Sequence, residues 1–158
     1  MIDVELLEER VELVREDGVT LPGWHITPGL VTAERMHGAG VVVVAGEWGL
    51  SEDVYARVAR PLAQLGFVVV AMDLVRGQHT DDAAVAHARA AALDHVVAIT
   101  DIQAGLLAVK ELARGKLGVI GLDIAAQIAL EAATVLPHVD AVVHAGGPVP
   151  GPSVPMAR

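Results

Sequence analysis

Leu117-Gly118-Val119-Ile120-Gly121-Leu122-Asp123-Ile124-Ala125-Ala126 is the stretch whose reading decides the fold. Its first half has the apolar character of a buried strand and its second half opens a helix, with a tight turn between them. Gly121-Leu122-Asp123-Ile124-Ala125 keeps the outline of the G-x-S-x-G elbow, a strained strand-to-helix turn that lifts one nucleophilic side chain above a sheet. Two letters depart from that pattern. Asp123 stands at the nucleophile's place, and Ala125 replaces the second glycine.

Working outward, Ile124, Ile128, Leu130 and Val135 give the apolar spacing of a helix over 124–135, which must end before Pro137. Val139 to Ala145 reads as the last strand. Upstream, Asp81-Asp82 caps an Ala-rich helical region that reaches about Arg114, readable as two pieces. Phe67 to Met72 is a further buried strand, with Asp73 to Thr80 as the loop at its carboxyl end. Val41-Val42-Val43-Val44-Ala45 is the kind of continuous β-branched run found in parallel strands covered on both faces. Ser51 can cap a helix opened by Glu52 and Asp53, and Gly66 closes it. Within that helix Pro61 argues against one unbroken piece, although Val54, Val58, Leu62 and Leu65 keep the helical period. Residues 8–16 and 19–26 form an N-terminal hairpin turning at Asp17-Gly18, with Pro28 to Gly40 as a loop behind it. Strands alternating with helices predict an α/β domain of three layers, its mostly parallel sheet doubly wound. Residues 1–147 make one domain, and 148–158 a tail too rich in Pro and Gly for a helix or central strand.

Composition narrows the function. The chain has 158 residues, 53% of them hydrophobic but only 3% aromatic, so its core must be built from Val, Ala, Leu and Ile. A net charge of -9 argues against nucleic acid or an anionic membrane as partner, because both need basic patches. Without cysteine there is no disulfide, thiolate nucleophile or Cys-based metal site. The acidic start lacks the form of a signal peptide, and Leu117 to Leu136 carries Asp123, Gln127 and Glu131, so no membrane span is expected. A soluble cytoplasmic protein follows. The surplus of apolar residues points to surface buried against a second copy, a homodimer formed through the Val139–Ala145 edge or the 124–135 helix.

The order of these pieces resembles the dienelactone hydrolase family of the α/β-hydrolase fold. The resemblance is carried by Val41 through Leu50, by Gly66 through Leu74, by Asp101-Ile102-Gln103-Ala104, by Gly118 through Asp123, and by Val139 through Val143. It spans roughly Asp17 to Gly147. It implies a Cys or Ser nucleophile at the elbow, where Asp123 stands, and a Glu after the strand preceding the first large helix, where Glu47 stands. It implies an oxyanion hole from the backbone N–H groups of Trp48 and Ile124. Against this family the chain reads as a truncated α/β-hydrolase fold, stopping before the segments that hold the family's catalytic acid and His.

Asp123 has two readings. It could attack carbon as Asp nucleophiles do, or it could be a buried cap on the 124–135 helix. Glu47 and Asp123 should meet at the carboxyl ends of neighbouring strands, where α/β sheets bind ligands. His144, ending the last strand, could orient or ionise Asp123. Trp48 reads as a pocket wall and Trp24 as hairpin packing, while Asp73 and Arg76 should brace the loop after the second parallel strand. No cofactor is implied, and the histidines show no metal spacing. Two functions follow. One is a vestigial member lacking the standard triad and acting as a ligand-binding or assembly module. The other is a small hydrolase of ester, lactone or carbon–halogen bonds, with Asp123 as nucleophile and Glu47 or His144 assisting.

Overall fold

Four consecutive valines, Val41 to Val44, form the centre of strand β3 (Gly40–Ala45), and in the computed structural model every residue of this strand is buried. The structure describes residues 5–29 and 38–146, so most of the expected loop between Pro28 and Gly40, and the tail beyond Gly146, lie outside the described residues. β3 pairs in parallel with β4 (Val68–Asp73) on one side and with β5 (Leu117–Leu122) on the other. β6 (Ala141–Ala145) adds in parallel to β5, and β2 (Thr20–Pro28) adds antiparallel to β4. β1 (Leu6–Val14) closes the hairpin, giving a six-stranded sheet in the order β1-β2-β4-β3-β5-β6.

The hairpin is longer at its outer ends than its alternation suggests, and its loop differs from a two-residue turn. Arg15 N–H donates to the Val19 carbonyl, and Gly18 N–H donates to the Arg15 carbonyl. The three residues Glu16-Asp17-Gly18 therefore make the loop, with Gly18 at φ +86°, the left-handed residue such loops require.

Alternate valines point to opposite faces, and each face has its own helical cover. Val42, Val44, Val70, Met72 and Val119 pack under α4 (His95–Leu112) and α5 (Ile124–Val135), against Ile102, Val109 and Ile128. Val41, Val43, Val69 and Ala71 face Tyr55, Ala59 and Ala63 on the other side. There the chain runs α1 (Glu52–Val54), a π-helical turn Tyr55–Ala59, and α2 (Arg60–Gln64). The wide turn is the physical answer to Pro61, which has no N–H to give the preceding turn; Arg60 N–H reaches back to the Tyr55 carbonyl in its stead. Ser51 Oγ accepts the Val54 N–H, as its position in the sequence predicts.

The Ala-rich region breaks into α3 (Ala83–Ala92) and α4, bent by 98° at Leu93-Asp94, and each piece has its own Asp cap. Among the described residues no single helix is long and apolar enough to cross a membrane. Trp24 packs edge-on against Tyr55, with ring centroids 5.7 Å apart, which ties the hairpin to the helical face.

A charge also ties the hairpin down. Asp101 on α4 is only 2% exposed, and Arg15 from the hairpin end reaches its Oδ1 at 3.0 Å, while Arg76 stands 3.9 Å from its Oδ2. Burial pushes the Asp101 carboxyl above the ordinary aspartate range, and the two guanidinium groups oppose that shift. Arg15→Ala is expected to lower the urea unfolding midpoint, because it strips the nearer partner from a carboxylate that stays buried. Adding Asp101→Leu to that variant should recover part of the loss. If the single variant unfolds at the wild-type urea concentration, this ion pair does not anchor the hairpin.

Candidate functional site

At the end of β5 the backbone turns through Asp123 at φ 54° and ψ -125° and enters α5 at Ile124. Few L-residues adopt this region, at a strain of roughly 1–3 kcal/mol. The turn is tight because Gly121 lets it be so. A β-carbon built on Gly121 would lie 2.3 Å from the carbonyl oxygen of Ala125. The pattern's second glycine is dispensable here, since Ala125 is fully buried and its methyl group is part of the core.

The reading of Asp123 as a buried cap is corrected. Its side chain makes no capping bond to α5, and the residue is exposed. The cap comes from Glu47, whose Oε2 accepts the Ile124 N–H at 3.0 Å. That reach depends on Gly46, where a β-carbon would meet the Leu122 carbonyl oxygen and the Ile124 side chain at 2.9 Å. Glu47 thus places a carboxylate at the positive end of α5, where a helix stabilises negative charge. It also occupies one of the two N–H groups that the resemblance assigns to an oxyanion. Partial burial holds the Asp123 carboxyl above the usual aspartate range, and the negative charge of Glu47 adds to the shift. No hydrogen-bond partner within the described residues reaches that carboxylate.

Trp48 is 36% exposed and forms a wall of the cleft above the elbow. This cleft holds about 480 Å³ and lies between the loop after β3, the loop after β4 and the turn at Asp123. Its position at the carboxyl ends of parallel strands is where open α/β sheets bind ligands. Asp73 braces it, as expected: its carboxylate accepts the N–H groups of Leu50, Val75 and Gly77 at 3.0, 3.0 and 2.8 Å, joining the two loops. Arg76 turns the other way, to Asp101.

The fold therefore brings Asp123 and Trp48 to one cleft, with the Glu47 carboxylate bonded to the Ile124 N–H at the adjoining helix terminus. The strand register sets His144 beside Gly121, two residues along β6 from Val142, which packs toward the α4–α5 core. Within the described residues no group of three or more His, Cys, Asp or Glu side chains is placed to hold a metal ion. Two contributors lay beyond sequence reasoning. His79 joins the cleft wall beside Thr80 and Asp81, and Arg89 reaches from α3 to the backbone carbonyls of Glu47 and Gln78. Nothing marks Arg89 in its Ala-rich helix, because its partners are main-chain oxygens far away in sequence.

Residues 27–157 match the family model for the dienelactone hydrolase family. Among solved structures, a protein from Klebsiella pneumoniae subsp. pneumoniae assigned as a dienelactone hydrolase superposes with a TM-score of 0.77 at 18% identity, covering 97% of this chain and 65% of that one. The dienelactone hydrolase-like promiscuous phosphotriesterase P91 from metagenomic libraries gives 0.71 at 25% identity, covering 90% of this chain and 59% of that one. An esterase from Pyrococcus furiosus, Pf2001, gives 0.62 at 22% identity, covering 92% and 51%. The chain thus spans less than two thirds of the length of these proteins. No curated protein matches it in sequence.

Two measurements test this geometry. Asp123→Gly relieves the backbone strain and should stabilise the fold by about 1 kcal/mol, whereas Gly121→Ala should cost about 3 kcal/mol or more by forcing β5 and α5 apart. Equal unfolding midpoints for both variants and the wild type would contradict the elbow. In a carboxyl-carbon NMR titration, Glu47→Gln should lower the Asp123 midpoint toward the ordinary value without reaching it, because burial is the first cause of the shift. An unchanged midpoint would mean that the two carboxylates do not interact.

Proposed function

This chain belongs to the dienelactone hydrolase family, and from that premise we propose that its cleft binds a small molecule without carrying out acyl transfer. The observation that supports this most is the Glu47 carboxylate on the Ile124 N–H. Acyl transfer needs backbone donors aimed at an oxyanion as it develops. Here one such donor already holds an anion, and a second negative charge would form against Glu47. The residue at the apex argues the same way. Attack by the Asp123 carboxylate on an ester would give a mixed anhydride, a species higher in energy than the ester consumed. On this reading the fold keeps the hydrolase cleft and uses it as a receptor.

A second reading rests on one observation, the strained and exposed placement of Asp123 at the elbow. A carboxylate attacks saturated carbon well. Asp123 would displace halide, forming one C–O bond as the C–X bond breaks, and water would then hydrolyse the resulting ester and restore the carboxylate. Glu47 or His144 would take the proton from that water.

The two readings separate in one assay series with 4-nitrophenyl acetate, a simple lactone and a 1-haloalkane. The binding reading expects the wild type to release product no faster than Asp123→Asn with any of the three. Halide release that disappears in Asp123→Asn, with a matching alkyl mass on the peptide carrying Asp123, would replace it with the nucleophile reading.

A further inference from the structure

Four carboxylates other than Asp123 stand at or near the rim of the cleft, and three of them are held by a guanidinium group or a backbone N–H. Asp53 pairs with Arg57 at 2.7 Å and Glu52 with Arg60 at 3.0 Å, while the solvent-exposed Asp81 lies 3.4 Å from the His79 imidazole. Glu47 is held on the Ile124 N–H. Asp123 has no hydrogen-bond or ion-pair partner in the described residues, is partly enclosed, and lines the same cleft as the partly exposed Trp48. Among the described residues, no Lys or Arg side chain lines the cleft. Arg89, which comes to the rim from α3, is engaged by the carbonyl oxygens of Glu47 and Gln78 and is not among the charges acting on Asp123.

We propose that the ligand of this cleft is a cation, a protonated amine or quaternary ammonium carried on a planar or apolar group. Asp123 supplies the counter-charge, and the face of Trp48 supplies both apolar contact and the negative side of its ring quadrupole. The net charge of -9 raises the local concentration of such a ligand in the cleft. Anions are turned away by the same field, so the charge pattern discriminates by repulsion as well as attraction. The inference rests on the reading of the cleft as a receptor and specifies what it receives.

Three probes of similar shape test it on the intact 158-residue chain: benzyltrimethylammonium, benzyl alcohol and benzoate, each titrated calorimetrically and by NMR. The cation should bind about tenfold more tightly than the alcohol, the size of one partly desolvated charge contact beside an aromatic face. Benzoate should not bind. Asp123→Asn, which keeps a residue type that tolerates positive φ, should bring the cation down to the affinity of the alcohol while leaving the alcohol unchanged. Trp48→Leu should weaken both. Equal affinity for cation and alcohol, or a cation preference that survives Asp123→Asn, overturns the charge inference while leaving the receptor reading in place. Failure of all three probes to perturb the cleft overturns both.

Discussion

A side chain of any size at Gly121 would collide with the carbonyl oxygen of Ala125 at 2.3 Å, and the rest of the site follows from that contact. Because the first turn of α5 lies directly on the end of β5, the connection has room for a single residue, and that residue must take positive φ. Asp123 is therefore lifted out of the core, and the Ile124 N–H is turned toward the loop after β3. The same crowding demands Gly46, since the loop can come within reach of Ile124 only where no β-carbon intervenes. One close approach thus fixes three things: the apex side chain, the direction of the helix terminus and the residue that caps it.

The two carboxylates that meet there share the helix terminus unequally. A helix N-terminus carries about half a positive charge, concentrated on its free N–H groups. Glu47 takes the Ile124 N–H directly, which satisfies a donor that the helix itself cannot pair. Asp123 sits on the same turn without such a bond, so it carries the desolvation and the repulsion of Glu47 together. Its raised pKa is the expression of that asymmetry. Stabilising one acid at the terminus makes the other more costly to ionise.

Much of this was legible in the sequence. The valine run, the Ser51 and Asp82 caps, and the Gly121–Ala125 outline place the strands, most of the helices and the elbow, because each depends on residues close together in the chain, whereas the Asp94 cap of α4 came from the structure. Pro61 announced an interruption but not its form, a π-helical turn closed by the Arg60 N–H on the Tyr55 carbonyl. Asp17-Gly18 announced the hairpin but not its three-residue loop, because the left-handed residue alone does not settle how many neighbours join it. What sequence could not show were the contacts made across the fold. The Glu47 bond to Ile124 spans 77 positions and the Arg15 bond to Asp101 spans 86, and neither leaves a local signature. Placing Glu47 and Asp123 near each other required only the strand order; learning which of them caps the helix required the loop geometry set by Gly46.

The exchange of a hydroxyl or thiol for a carboxylate at such an elbow inverts its electrostatics. A Ser or Cys rests neutral, so the helix terminus remains available for negative charge that appears only as reaction proceeds, and that difference between ground and transition state is what accelerates acyl transfer. With Asp123 beside Glu47 the negative charge is present from the start. On the proposed reading, further negative charge meets two carboxylates and one donor already engaged, and the field opposes acyl transfer. A positive group entering the same cleft meets the opposite balance, and it finds it in the resting state. On the proposed reading, the backbone of such an elbow suits a lasting cation here rather than a transient anion.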